Sequence, residues 1–168
     1  MNLVKKKIDK DINNKIEDAD YILVSIPPIE GEDLVINNFK GVLKKTKSKW
    51  ITYLSATSVY GNHNGEWVNE KSKTKPTSIN GTSRLKVENE WFKLSEENNL
   101  PLQIFRLSGI YSIQNNILKR LIAGQINVIK KENHFFSRIH VEDIANILFN
   151  SLNKFKRNEI YNISDDKP

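Results

Sequence analysis

Apolar positions along this chain recur with two different spacings. Four short runs are dense in β-branched and aromatic residues: YILVSI (21–26), WITYLS (50–55), LQIFRL (102–107) and EIYNIS (159–164). Bounded by polar and turn-forming residues, such runs read as strands. Between them apolar residues return every three or four positions, the spacing of one helix face. DLVINNFKGVLKK (33–45) aligns Val35, Phe39 and Val42, and GTSRLKVENEWFKLSEEN (81–98) aligns Val87, Trp91 and Leu94. NNILKRLIAG (115–124) closes on a glycine suited to a helix C-terminus. VEDIANILFNSLN (141–153) aligns Val141, Ile144, Ala145, Leu148 and Leu152. Strands alternating with helices predict the α/β class, a parallel sheet with helices laid against it. No repeat or linker divides the 168 residues, so one domain over 1–168 is expected.

Two of these helices are broader than a sheet-covering helix requires. Helix 81–98 adds Leu85 and Phe92 on a second stripe, and helix 33–45 adds Ile36 and Leu43. Two apolar faces call for two burials, either deep within the monomer or against another subunit. A homodimer through helices 33–45 and 81–98 is therefore one expectation.

Composition narrows the chemistry. The chain has no cysteine, which excludes disulfides, thiolate nucleophiles and cysteine-ligated zinc. Its three histidines (His63, His134 and His140) are far apart, without ligand spacing, so no metal site is expected. No apolar stretch reaches the ~20 residues of a membrane span, and the start, MNLVKKKIDKD, lacks the apolar core of a signal peptide. A soluble, cytoplasmic chain is the expectation. The net charge of +6, with KKTKSK (44–49) and KSKTK (71–75), raises nucleic-acid binding. The cations are mostly lysine and fall where loops and helix ends are expected, so solvated surface is the preferred reading.

The loop after the second strand, LSATSVYGNHNGEWVNE (54–70), carries a hydroxyl cluster, Val-Tyr-Gly and then an acidic residue ahead of Pro76. Further on come RLSGIY (106–111), RIHVEDIANIL (138–148) and IYNISDD (160–166), with VSIPP (24–28) after the first strand. In this order and spacing they resemble an atypical branch of the extended short-chain dehydrogenase/reductase family, the NAD(P)-dependent epimerases and dehydratases of nucleotide sugars. The resemblance runs from about residue 19 to the end. It implies a partial Rossmann-like, doubly wound parallel sheet, with NAD or NADP as the cofactor of intact relatives. Cofactor-facing positions carried over from it are Ser25, Ser55, Arg84 and Ser108.

The same resemblance brings out what has changed. The family's catalytic helix begins Pro-x-x-x-Tyr-Gly-x-Ser-Lys-x-x-x-Glu, and PTSINGTSRLKVE (76–88) keeps Pro76, Gly81, Ser83 and Glu88. The tyrosine position is Asn80, the lysine position Arg84, and the Ser/Thr position three residues before the Val of Val-Tyr-Gly is Ala56. Arg84 keeps a cation that cannot relay a proton, and Asn80 is neither acid nor base near neutral pH. No tyrosine has a lysine four residues on, so the pair has not moved elsewhere. Losing a positioned base costs about 10²–10⁴-fold in rate.

The seven glycines form no Gly-x-Gly-x-x-Gly or Gly-x-x-Gly-x-x-Gly, the turn that lets a pyrophosphate reach a helix N-terminus. The expectation is a chain that begins ahead of the family's fourth strand, without the first βαβ unit. No catalytic residue is assigned. The readings carried forward are an inactive member or remnant, one half of a split oxidoreductase whose partner chain completes the cofactor site, a non-enzymatic binding module and, last, a nucleic-acid binder. His140 and Asp143 look like a catalytic pair but are read as architecture at a helix start. Arg106 and Arg138 are read as phosphate contacts or, preferably, surface pairs. Tyr60 is read as a packed aromatic.

Overall fold

The computed structural model describes residues 10–125 and 135–167. Four strands form one parallel sheet in the order β1-β2-β3-β6: β1 Tyr21–Val24, β2 Trp50–Ala56, β3 Leu102–Leu107 and β6 Glu159–Ile163. These are the four apolar runs, with β1 stopping two residues short of its expected end where Pro27 and Pro28 approach. Two further strands, β4 (Gly109–Tyr111) and β5 (Arg138–His140), pair in a separate parallel ribbon that the sequence pattern did not give as a sheet. At three residues each they are too short to show a period. Helices α2 (Leu34–Leu43), α3 (Ile79–Asn98), α4 (Ile117–Ile122) and α5 (Val141–Ser151) match the four helical segments, each within a few residues. Helix α1 (Lys10–Asp18) was not anticipated, because its run is polar but for Ile12 and Ile16. His134 lies outside the described residues.

Register explains how the sheet divides its two faces. Tyr53 pairs with Ile104 and Ile51 with Leu102, so these side chains share the face covered by α2 and α3. There Ile36 and Leu43 from α2 meet Val87, Trp91 and Leu94 from α3 in one buried cluster. Val35, Phe39 and Phe92 pack half-buried on its margin. The second apolar stripe of α2 is thus the deeper one, and most of the breadth of both helices is taken up inside the monomer. Trp91 also donates through Nε1 to Asp33 Oδ2 at 2.9 Å, while Asp33 Oδ1 caps α2 by accepting from the backbone of Val35 and Ile36. One carboxylate therefore fixes both where α2 starts and how α3 lies on it.

Helix α5 covers the opposite face, making the sheet doubly wound. Its buried contacts come from Ile144, Ile147 and Leu148 against Phe105, Leu107 and Ile163. Val141 and Ala145, assigned to the stripe from sequence, are exposed, since the stripe that meets the sheet runs through 144, 147, 148 and 151. Ser151 sits at the polar end of that stripe. Its Oγ accepts from Trp50 Nε1 and from Gln103 Nε2, each at 3.1 Å, and Gln103 also donates to Thr52 Oγ1 at 2.7 Å. On this face β1 is uncovered: Tyr21 is 55 % and Leu23 47 % exposed.

Replacing Ser151 with alanine leaves the buried Trp50 N–H without an acceptor and is expected to cost about 1–3 kcal/mol. Urea unfolding of Ser151→Ala against Ser151→Thr, which keeps the hydroxyl, separates that loss from a change of volume.

Candidate functional site

The loop between β2 and α3 is built around a close approach. A 3₁₀ turn, Thr57–Val59, follows β2, and α3 starts against it, capped by Ser78, whose Oγ accepts from the Gly81 N–H at 3.0 Å. A Cβ at Gly81 would lie 2.5 Å from the Ser58 carbonyl oxygen, so only glycine lets the helix start this near the turn. Pro76, Gly81 and Ser78 accordingly serve the docking of α3.

Behind this junction four distant residues form one buried network. Glu88 on α3 and Arg106 on β3 make a two-pronged ion pair: Arg106 Nη2 lies 2.7 Å from Glu88 Oε2, and Nε lies 3.1 and 3.2 Å from the two carboxylate oxygens. The two side chains are 1 % and 4 % exposed. Arg106 Nη1 donates to Tyr60 Oη at 2.9 Å, and Tyr60 donates in turn to Asn162 Oδ1 on β6 at 2.7 Å. The guanidinium also lies 4.9 Å from the centre of the Tyr60 ring. Burial works against the charge of Arg106, yet Glu88 first and then Tyr60 hold its pKa above the ordinary value. Arg106 is therefore neither a surface pair nor a phosphate contact, and Tyr60 does more than pack. Tyr60 is packed, as expected, at 2 % exposure, while the Arg106 reading failed because its partners are 46 and 18 residues away, beyond any local pattern.

The positions where the family carries its working groups stand apart from this network. Asn80 is exposed on the first turn of α3. Arg84 is half-buried and turned inward, with Nη1 donating to the Leu54 carbonyl at 3.2 Å. Of the four cofactor-facing expectations, Ser25 is exposed just beyond β1, Ser55 is buried in β2, and Ser108 is buried between β3 and β4. The hydroxyls of Ser55 and Ser108 have no hydrogen-bond partner among the described residues. His140 acts as the N-cap of α5, its Nδ1 accepting from the Glu142 N–H at 3.4 Å, with Asp143 exposed in the first turn. Arg138 lies with its guanidinium 5.4 Å from the Phe136 ring centre.

At the C-terminal ends of β2 and β3 opens a cleft of about 950 Å³. Its walls come from the 3₁₀ turn and following loop (Thr57, Ser58, His63, Glu66), the start of α3 (Thr77, Ser78), the exit of β3 (Leu107, Ser108, Gly109) and the segment before β5 (Phe135, Phe136, Ser137). Ser108 alone of the four expected positions lines it. Ser25, Ser55 and Arg84 do not, and neither does Asn80. Thr57 and Ser58 were legible as a hydroxyl cluster after a strand. Phe135 and Phe136 carried no such signal, since only the β4–β5 pairing brings them here. Among the described residues no three acidic or histidine side chains gather as a metal site, and no helix is long and apolar enough to cross a membrane.

Comparison with known proteins gives these features a context. The model of the NAD dependent epimerase/dehydratase family matches residues 37–164. A functionally unknown conserved protein from Silicibacter pomeroyi DSS is 34 % identical over 100 % of this chain and 57 % of its own, with a TM-score of 0.84. UDP-glucuronic acid 4-epimerase from Bacillus cereus, in complex with NAD, is 18 % identical over 95 % of this chain and 58 % of its own, with a TM-score of 0.80. UDP-N-acetylglucosamine 4-epimerase from Bacillus cereus is 19 % identical over 94 % and 61 %, with a TM-score of 0.73. The two epimerases are alike in fold. The chain spans less than two thirds of the length of all three. No curated protein matches its sequence.

Two outcomes test the packing behind the cleft. Glu88→Ala leaves Arg106 buried and unpaired, an expected loss of about 3–5 kcal/mol in chemical denaturation, while Glu88→Leu with Arg106→Met recovers most of it. Tyr53, buried against Trp91, has a phenol without a hydrogen-bond partner among the described residues, and burial raises its pKa although the charge of Arg84 opposes the shift. The folded chain thus keeps a proton that the unfolded chain gives up above pH ~10, so this group's stabilisation is complete below that pH and lost above it. Tyr53→Phe is expected to match or exceed the parent's stability at pH 8, and to lose less stability between about pH 10 and 11.5.

Proposed function

Because the chain belongs to the NAD dependent epimerase/dehydratase family, we propose that it is a binding member of that family, holding a nucleotide-sugar-like ligand in the cleft without turning it over on its own. The observation that carries this reading is the state of the two working positions on α3. Asn80 is outside the cleft and has no acid–base function, and Arg84 is engaged with the Leu54 carbonyl rather than free to reach a ribose or a phenol. A hydride-transfer reaction also needs a bound nicotinamide. Of the buried hydroxyls without a partner among the described residues, Ser108 lines the cleft at the end of β3, where ligands of open α/β sheets bind, and it suits an amide or ribose group. The pyrophosphate has no such support, because the glycines of this sequence form no phosphate-binding turn. The residues present fit one end of a dinucleotide and not its middle.

A second reading, half of a split oxidoreductase, is favoured by the uncovered flank of β1. Among the described residues no strand pairs with β1 on its outer side, and Tyr21 and Leu23 are exposed on the face beside it. A further α/β unit docked there, on this polypeptide or another, would cover that face and bring its own phosphate-binding turn to the strand ends. Association through α2 and α3, the expected homodimer, has less to build on, since Ile36, Leu43, Val87, Trp91 and Leu94 are already buried in the monomer.

The test is turnover and binding by the purified chain. No interconversion of UDP-sugars is expected with either NAD or NADP, and the thermal melt should not move with millimolar amounts of either dinucleotide. Measurable epimerisation, or a rise in Tm of the size that ~2.7 kcal/mol of ligand stabilisation gives, overturns the inactive reading. Activity appearing only when a second polypeptide is added selects the split reading instead.

A further inference from the structure

Resting on the nucleotide-sugar reading above, we propose that the cleft is built for an uncharged, hydroxylated sugar ring and discriminates against a uronate. Four observations point the same way. Ser108 is 5 % exposed, lines the cleft, and its hydroxyl is buried without a partner among the described residues. A buried hydroxyl left unpaired is unfavourable, and a ligand hydroxyl seated beside it supplies what the protein does not.

Much of the remaining polar lining is hydroxyl as well, beside the amides of Asn62 and Asn64. Thr57, Ser58, Thr77 and Ser137 add four more hydroxyls. Each can donate one hydrogen bond and accept two, which matches the hydroxyls of a sugar ring group for group.

One wall is aromatic. Phe135 and Phe136 line the cleft while 62 % and 53 % exposed. Large apolar rings exposed side by side at a cleft mouth suit the apolar C–H face of a pyranose. Phe136 is held against the backbone of Gly109, where a Cβ would come within 2.4 Å of its Cε1. The ring is thereby set immediately beside Ser108.

The charges decide between neutral and acidic sugars. No lysine or arginine is among the described lining residues, and the ionisable groups that are present include a carboxylate, Glu66, and an imidazole, His63. His63 Nε2 lies 3.1 Å from the Lys73 carbonyl oxygen, which can only accept, so Nε2 carries a hydrogen. Arg138 stands over Phe136 but is not part of the lining. A uronate carboxylate would enter a partly desolvated cleft near Glu66 with no lysine or arginine among the described lining residues to pair with.

Saturation-transfer NMR on the intact chain with UDP-glucose, UDP-glucuronate and UDP tests this. Transfer to the glucose ring, with an affinity about tenfold or more above that for glucuronate, is expected. Ser108→Ala should weaken glucose-ring transfer while leaving the melt of the protein unchanged, since the hydroxyl it removes has no partner among the described residues. Ser58→Arg, at an exposed position of the lining, should bring glucuronate up to or above glucose. Equal or stronger transfer to glucuronate in the parent overturns the discrimination while leaving the nucleotide-sugar reading intact. An unaltered signal in Ser108→Ala overturns the role of that hydroxyl. Transfer to neither sugar overturns the nucleotide-sugar reading and this inference with it.

Discussion

The buried pair between Glu88 and Arg106 is the constraint on which the arrangement around the cleft depends. Two charges removed from water carry a desolvation cost of several kcal/mol each, and only close, multiply bonded geometry offsets it. Here Arg106 directs three of its nitrogens into hydrogen bonds, two toward Glu88 and one toward Tyr60. That requirement fixes the distance of α3 from β3. Through Tyr60 and Asn162 it also fixes where the loop after β2 lies relative to β6. Asn162 closes the arrangement from its other side, its backbone N–H donating to Glu70 Oε1 at 2.7 Å. The long excursion between β2 and α3 is thereby fastened at both ends to the sheet. A cleft bounded by that loop inherits its shape from an ion pair that does not line it.

This division sorts the family's signature residues into two sets with different physical duties. Glu88, Tyr60, Arg106 and Asn162 hold the scaffold through one continuous chain of hydrogen bonds. Gly81 and Ser78 dock the start of α3. The positions for chemistry (Ala56, Asn80 and Arg84) take no part in the network. Substitution at those three sites leaves the buried charges paired, so it does not disturb the scaffold. Arg84 supports this separation, because its guanidinium now caps the carbonyl of Leu54 at the end of β2. A longer, planar cation has taken up a bond to the sheet itself.

Much of the architecture was legible from periodicity alone. The four sheet strands and four helices fall where apolar spacing put them, and α2, α3 and α5 owe their place to a face buried on the sheet. What escaped the sequence is what depends on distant pairing. The β4–β5 ribbon has three residues a side, too few for a pattern, and exists only because Gly109 and Arg138 meet in register. The stripe of α5 was displaced toward Ile147 and Ser151, since the sheet beneath offers Trp50 and Gln103 as donors as well as an apolar surface. Arg106 looked like any cation on a strand, and nothing within ten residues of it betrays Glu88. The site was legible in its chemistry more than its place: the strand-end serines were found, but only Ser108 belongs to the cleft.

The cleft and its orphan hydroxyl have a common cause in the path of the chain. Leu107 is the last residue of β3 in the main sheet, and Gly109 is the first of β4 in the ribbon. Ser108 is the single residue between them. Its N–H still donates to Ile163 of β6 at 3.0 Å, while the N–H of Gly109 has already turned to Ser137 at 3.1 Å. A strand that changes sheets within one residue splays the two sheets apart at their C-terminal ends, and that separation is the opening. The side chain at the point of departure is buried, yet its hydroxyl has no hydrogen-bond partner among the described residues. An apolar residue there would have closed the floor at no cost in hydrogen bonding. With serine there, the topology sets a buried hydroxyl in the lining of the cleft, at the C-terminal ends of the parallel strands.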